Sequence, residues 1–395
     1  MKTFTLQKII PERLLIFLVS FLFSSMAFVV NAQTVFAEDT LDINAIKVKL
    51  ASNGAIGYNE GIHGGPLFQD TSISVYPYGN TSVFAQSLFM GGEANGDLHM
   101  LYNLFNQSYT NSYGPYSITG MYTPSYELKY NRVWKVDLDT IKYHINNYQN
   151  NNYSVPLQIS SWPAHGDTGL AGQSYLLAPF IDLNSNGEYE PSLGDYPDIK
   201  GDQALYCIYN DNSPYVLGPG LNWQHRKLDV EVHTMLYAYD CPGLEHTVFH
   251  NVKIYNRSLN NYNDFYVGNF TDFDIAQYDD DHIGCDTNLN LFYGYNSINA
   301  LSPGPVTTNM WTAGVKFLNY NMSNFSYFNN DFAGQGNPQS DSTYYNYMTA
   351  HWGDNTPLTY GGSGHGGAQP TSYAFPSHPL DTSGWSQYNL SLIHI

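Results

Sequence analysis

Charge is scarce in this chain of 395 residues: only 12% of positions are charged, with 15 Lys and Arg against 34 Asp and Glu, a net charge of −19. So few cations cannot neutralise a phosphate backbone, which excludes nucleic acid as a partner. Cysteine is nearly missing as well. Cys207, Cys241 and Cys285 are too few for a disulfide-stapled scaffold, and their spacing is wrong for zinc. Beyond residue 30 no apolar run is long enough to cross a bilayer, so the mature chain is read as having no transmembrane segment. A nucleophile elbow, a zinc-protease helix motif, a phosphate loop and a dinucleotide fingerprint are all absent. Gly361-Gly-Ser-Gly-His365 comes nearest to the first of these, but His stands where the closing Gly belongs. No catalytic residue can be named, although glycosidases can work through Asp/Glu pairs that leave little local signature.

What the chain has in abundance is Tyr, 35 of them, with 34 Gly and many Asn and Ser. That composition favours strands and hydrogen-bonded turns over long solvated helices. The N-terminus reads as a signal peptide over residues 1–32. Lys2, Lys8 and Arg13 precede the apolar run Leu14–Val30, and Val30-Asn31-Ala32 fits the small-residue cleavage pattern. Loss of that leader, with Glu12, takes the net charge to −21. An exported chain can oxidise one cysteine pair, expected between Cys241 and Cys285, each at a strand end beside Asp. Cys207 lies within an apolar alternation and is expected to be buried.

Short β-prone runs dominate: Ile46–Leu50, Ile73–Tyr76, Ser82–Ala85, Ala204–Tyr209, Asp229–Tyr239, Thr247–Tyr255, Phe265–Phe270 and Leu291–Tyr295. Strands in succession without intervening helices predict a mainly β fold, an antiparallel β-sandwich or jelly roll with long Gly- and Asn-rich loops. One short helix is expected at about 139–148, with Asp139 capping its N-terminus and Ile141, Ile145 and Tyr148 forming the buried stripe. The main β domain is expected over 43–299 and an incomplete Gly/Asn/Tyr-rich region over 300–389. Leu390–Ile395 reads as the translation of a sequencing adapter.

The most informative stretch is Asp182-Leu-Asn-Ser-Asn-Gly-Glu-Tyr-Glu190, continuing to Asp195. Oxygen-bearing side chains alternate at Asp182, Asn184, Asn186 and Glu188, with Gly187 where a calcium loop must turn sharply and Glu190 or Asp195 able to close the shell. Leu193 replaces the bidentate Glu of an EF-hand, and Pro191 and Pro197 oppose a following helix. The expectation is an EF-like calcium loop between extended segments, binding at about 0.1–1 mM as extracellular modules do; the alternative is an Asx-turn loop without metal. Asp272, Asp274, Asp280, Asp281 and Asp286 form a second candidate calcium site, weighed against a solvated acidic loop and a paired-carboxylate hydrolase. Asp229, Glu231 and His233 share a strand side that reads as a half-exposed face.

Several blocks carry a resemblance. Phe84–Gly92 with Gly96–His99, Asn131–Val136, Trp162–Gly166, Leu177–Asp182 through Gly194–Pro197, Gly201–Ala204, Glu231–His233, Asn256–Ser258 and Thr271–Asp274 with Asp280–Asp286 follow one another along most of the mature chain. In that order they resemble a family of large exported proteins of Bacteroidetes-type bacteria, cargo of the type IX secretion system. The resemblance implies export through that machinery, then release or fixation at the outer cell surface, and a structural or adhesive role rather than catalysis. Partners would be a surface glycan or a protein ligand. The competing expectation is a carbohydrate-binding module or glycoside hydrolase.

Overall fold

In a computed structural model, residues 36–57, 68–70, 81–105, 108–169, 171–213, 225–275, 281–296, 312–329 and 334–393 are described. The expected signal peptide, the run Ile73–Tyr76, Asp280 and the boundary placed near 299 lie outside them. Residues 36–395 belong to one compact unit.

Three antiparallel sheets account for most of the strands. The first runs in the order Glu38–Leu41, Ile46–Ala51, Phe68–Asp70, Thr81–Ala94, Asn263–Phe273, and Asp97–Leu101 also pairs with Thr81–Ala94. The second runs Phe249–Asn256, Val230–Ala238, Gln203–Asn210, whose far edge takes both Ser112–Tyr113 and Trp134–Asp137. The third joins Asp281–Asp286, Leu291–Asn296 and Thr312–Lys316. The fold is therefore mainly β and sandwich-like, as the strand succession predicts. Its first strand begins at Glu38, ahead of the expected boundary at 43.

The first two sheets pack face to face. Leu41, Val48, Leu50 and Met90 meet Leu205, Cys207, Val230, Val232 and Leu236, and all of these are buried. Side chains alternate across a strand, so Ala204, Tyr206 and Ile208 point the other way. There they pack under Tyr126, Tyr130, Ile141, Trp162 and Leu177. Every residue of Gln203–Asn210 is buried as a result, because the second sheet is covered on both faces. Chain and core approach closely at Gly54: its φ is +83°, and a Cβ there would lie 2.3 Å from the Tyr209 ring.

Five helices, not one, occur among the described residues: Pro124–Tyr130, Leu138–Asn147, Leu157–Ser160, Asp341–Met348 and Gln387–Ile393. The expected helix is the second. Asp137, not Asp139, is its N-cap residue, and the Asp137 carboxylate is occupied by Gln203 Nε2 at 2.8 Å and Gln158 Nε2 at 3.0 Å, so it caps no helical amide. Asp139 is exposed and pairs with Lys142 at 2.9 Å. Ile141 and His144 form the buried side, whereas Ile145 is exposed, because the neighbouring loop accepts a hydrogen bond from His144.

Asp341–Met348 covers the outer face of the first sheet. Tyr344 stacks on Tyr102 with ring centroids 3.8 Å apart, and Met348 joins Phe89 and Met100. Its start is closed by a capping box between Ser340 and Thr343. The region read as loop-rich thus contributes a strand, a helix and a cluster built on Trp352, Phe375 and Trp385, against which Leu390 packs.

The three cysteines carry free thiols, so the expected Cys241–Cys285 disulfide is not made. Cys285 is buried in the third sheet beside Phe292 and Met322, with Sγ 3.3 Å from the Ala374 carbonyl. Cys241 sits in a turn after Val230–Ala238, a strand of a different sheet. Cys207 is buried as expected.

Leu205 is fully buried between the two large sheets. Leu205→Ala is expected to lower unfolding free energy by about 3 kcal/mol, read by chemical denaturation; a loss below about 1 kcal/mol would contradict the packing described.

Candidate metal loop and buried carboxylates

The loop from Asp182 to Asp195 joins two short strands, Phe180–Ile181 and Tyr196–Pro197, that pair with each other and fix its ends. Its turns follow from local chemistry. Ser185 and Gly187 take positive φ, +59° and +84°, and the amides of the resulting turns point inward. Asp182 accepts from Ser185 N and Gly187 N, both at 2.7 Å. These donations hold its carboxyl below the usual range. Asn184 Oδ1 accepts from Asn186 N at 3.1 Å, and Asn186 Oδ1 from Glu188 N at 2.8 Å.

Asp195 is the anchor. It is fully buried, and its carboxylate accepts from Leu183 N at 2.9 Å and Glu190 N at 2.7 Å, clamping both flanks of the loop. His144 Nε2 donates to the Asp195 carbonyl at 3.1 Å and so fastens the loop to the helix Leu138–Asn147. Burial lowers the His144 pKa, which keeps the ring neutral.

The structure thus brings Asp182, Asn184, Asn186, Glu190 and Asp195 around one loop. Glu190 reaches Asn186 Nδ2 at 2.5 Å. Glu188 is turned outward: its carboxylate hydrogen-bonds the Tyr175 hydroxyl and raises that group's pKa, leaving the Glu188 carbonyl as the oxygen it can offer to the loop. Among the described residues, no three His, Cys, Asp or Glu side chains gather as a metal-holding group. A cation in this loop would therefore draw on the Asn oxygens and backbone carbonyls as well as Asp182, a donor set of hard oxygens that suits calcium. A carboxylate has lone pairs left after accepting two amides.

The second acidic group divides. Asp272 and Asp274 lie partly buried at the end of Asn263–Phe273, and Asp281 Oδ2 accepts from Ile275 N at 2.7 Å. Asp286 stands at the other end of the strand Asp281–Asp286, about 17 Å away at the usual rise per residue. There it accepts from Asn288 N at 2.9 Å and Leu289 N at 3.1 Å, closing a hairpin turn. Asp272, Asp274, Asp281 and Asp286 do not form one site. Burial, with Asp274 nearby, pushes Asp272 up to about 7, and burial pushes Asp274 up to about 6.

The sharpest correction concerns Glu231 and His233. They do share a strand side, but it is a buried one. Glu231 Oε1 accepts from Arg257 Nη2 at 2.5 Å and from His233 Nε2 at 3.0 Å, and Oε2 accepts from Tyr116 N at 2.7 Å. His233 Nδ1 in turn meets the Tyr206 hydroxyl at 2.9 Å. Burial would raise the Glu231 pKa, but His233 and Arg257 outweigh it and the net direction is down. One turn away, buried Asp211 accepts from Leu228 N, Asp229 N and Val230 N at 2.6, 3.1 and 2.8 Å and sets the start of the strand Val230–Ala238. Nothing in Asp229-Val-Glu-Val-His announces burial; the cover comes from Tyr116, which is remote in sequence.

No family model matches this chain, and no curated protein or solved structure matches it.

Asp272 and Asp274 have raised carboxyl pKa values, so the stability they allow is present below about pH 4 and is lost as pH rises through 6 to 7. In chelator, the double variant Asp272→Asn, Asp274→Asn is expected to be more stable than the parent at pH 7.5 by about 2 kcal/mol, roughly a quarter of the full conversion because both groups keep contact with water. Denaturation at pH 4 and 7.5 checks this; an equal or lower stability of the variant at pH 7.5 would contradict it.

Proposed function

We propose that the protein is an exported structural or adhesive protein, secreted or held at the outer cell surface, and that the loop Asp182–Asp195 binds calcium and stiffens its fold. The observation that carries the reading is this loop: alternating oxygens, a left-handed Gly187, and a buried Asp195 that clamps both flanks and is tied to the core by His144. A loop already fixed at its ends loses little entropy on taking up an ion. The ion in turn would lower the repulsion of an acidic surface carried by a chain of net charge −19.

Export by the type IX secretion machinery rests on the motif series from Phe84 to Asp286 together with the leader-like N-terminus. The partner proposed is a surface glycan or another surface protein. A carbohydrate-binding module or glycoside hydrolase working through paired Asp and Glu would want indole rings open to a sugar face. Among the described residues Trp134, Trp162, Trp352 and Trp385 are instead buried, which supports the structural role, while Tyr143, Tyr320 and Tyr360 are exposed rings that a glycan could meet. No helix among the described residues is long and apolar enough to span a membrane.

Calcium at ten times its dissociation constant is expected to add about 1.4 kcal/mol to stability, and chelator to remove it. Thermal melts with calcium, with magnesium and with chelator read this directly. The calcium response should vanish in Asp182→Ala. A melt indifferent to calcium would remove the metal from the account while leaving the surface role standing.

A further inference from the structure

Three Asn-Gly pairs occur in the chain: Asn53-Gly54, Asn95-Gly96 and Asn186-Gly187. Asn-Gly is the dipeptide in which a side-chain amide is most open to attack by the following backbone nitrogen, because glycine puts no Cβ in the way. The reaction yields a succinimide. Three things set its rate: how readily the Gly N–H gives up its proton, how polarised the Asn carbonyl is, and how well the amide leaves.

At Asn186 neighbouring groups meet the first two, and a third group orients the amide that leaves. Gly187 N–H donates to Asp182 Oδ2 at 2.7 Å, so a base sits on the nucleophile. Asn186 Oδ1 accepts from Glu188 N at 2.8 Å, where the negative charge of a tetrahedral intermediate would develop. Asn186 Nδ2 donates to Glu190 Oε2 at 2.5 Å, on the leaving group. Asn186 and Gly187 are exposed, and no atom lies within 4 Å of the point where a Gly187 Cβ would stand.

The other two pairs lack this surrounding. Asn53 is fully buried, and Gly54 N–H is committed to the Ala51 carbonyl at 2.9 Å. Asn95 is exposed at a hairpin turn, but its Nδ2 donates at 3.2 Å to the neutral Asn260.

We propose that Asn186 is a self-modification site, at which Asp182 promotes cyclisation and deamidation and Glu190 orients the side-chain amide. Gly187 N attacks Asn186 Cγ and forms the new C–N bond, while its proton passes to Asp182. The Cγ–Nδ2 bond breaks, and ammonia leaves with that proton as Glu190 holds the departing nitrogen. Water then opens the succinimide at either carbonyl, giving aspartate or isoaspartate at position 186 and one more negative charge in the loop. The proposal does not depend on calcium, and its test is run in chelator.

The test is peptide mapping of the intact protein after incubation at mildly alkaline pH, quantifying aspartate and isoaspartate at all three sites in the folded chain and in the urea-unfolded chain. Unfolded, the three sites should react alike. Folded, Asn186 is expected to exceed its own unfolded rate about tenfold, below the hundredfold lower end of positioned general-base catalysis, while Asn53 and Asn95 match or fall below theirs. A folded rate at Asn186 no higher than its unfolded rate overturns the proposal. Asp182→Asn should bring Asn186 back to the unfolded rate and leave Asn95 unchanged; an unaltered Asn186 rate in that variant overturns the role of Asp182. The ratio in the parent protein stands whether or not the variant folds.

Discussion

The second sheet is covered on both faces, and most of the molecule answers to that constraint. Its central strands Gln203–Asn210 and Val230–Ala238 have the first sheet on one side and a layer of helices and loops on the other. Water is therefore shut out from both, and any polar group placed there must be satisfied by the protein. Glu231 meets Arg257, His233 and the Tyr116 amide; Asp211 meets three successive amides; His233 meets Tyr206. Removing one member would strand the others, the costly way to break a buried charge pair. Glu231 makes the sheet acid-sensitive: with its pKa lowered, its contribution is present above the ordinary Glu range and is lost as pH falls below that range through its lowered value.

The same cover explains how the candidate metal loop is held. The helix Leu138–Asn147 lies on the outer layer over the second sheet through Ile141, and its His144 reaches down to Asp195. Position is thus transmitted from the core to an exposed loop by one helix and one hydrogen bond. Asp195 converts it into a clamp, since its two oxygens hold amides on either flank. The loop is at once the candidate cation site and the candidate site of its own chemical ageing, because the same inward-pointing amides and carboxylates serve both.

The strands were legible in the sequence wherever alternation was clean. The runs Asp229–Tyr239 and Thr247–Tyr255 follow each other closely in sequence, and Phe249–Asn256 pairs antiparallel with Val230–Ala238. The loop at Asp182 was legible because its alternation of oxygens is local. What escaped was set at a distance. A polar residue at every second place reads as a wet face, yet Glu231 and His233 are dry because Arg257, Tyr116 and Tyr206 close over them. Asp139 carries the local signature of a cap, but the chain enters the helix two residues earlier at Asp137, whose carboxylate is drawn off by glutamines at positions 158 and 203. The helix Asp341–Met348 did carry a local signal, Ser340 with Thr343 followed by Tyr344, Tyr347 and Met348 on one side, hidden in a Tyr- and Asn-rich stretch.

A crystal structure grown in calcium, with anomalous data, tests the account most directly. The account predicts a single strong anomalous peak within the Asp182–Asp195 loop, about 2.3–2.6 Å from oxygens of Asp182, Asn184 and Asn186. Only water there, with the carboxylates still bound to the backbone amides alone, would contradict it.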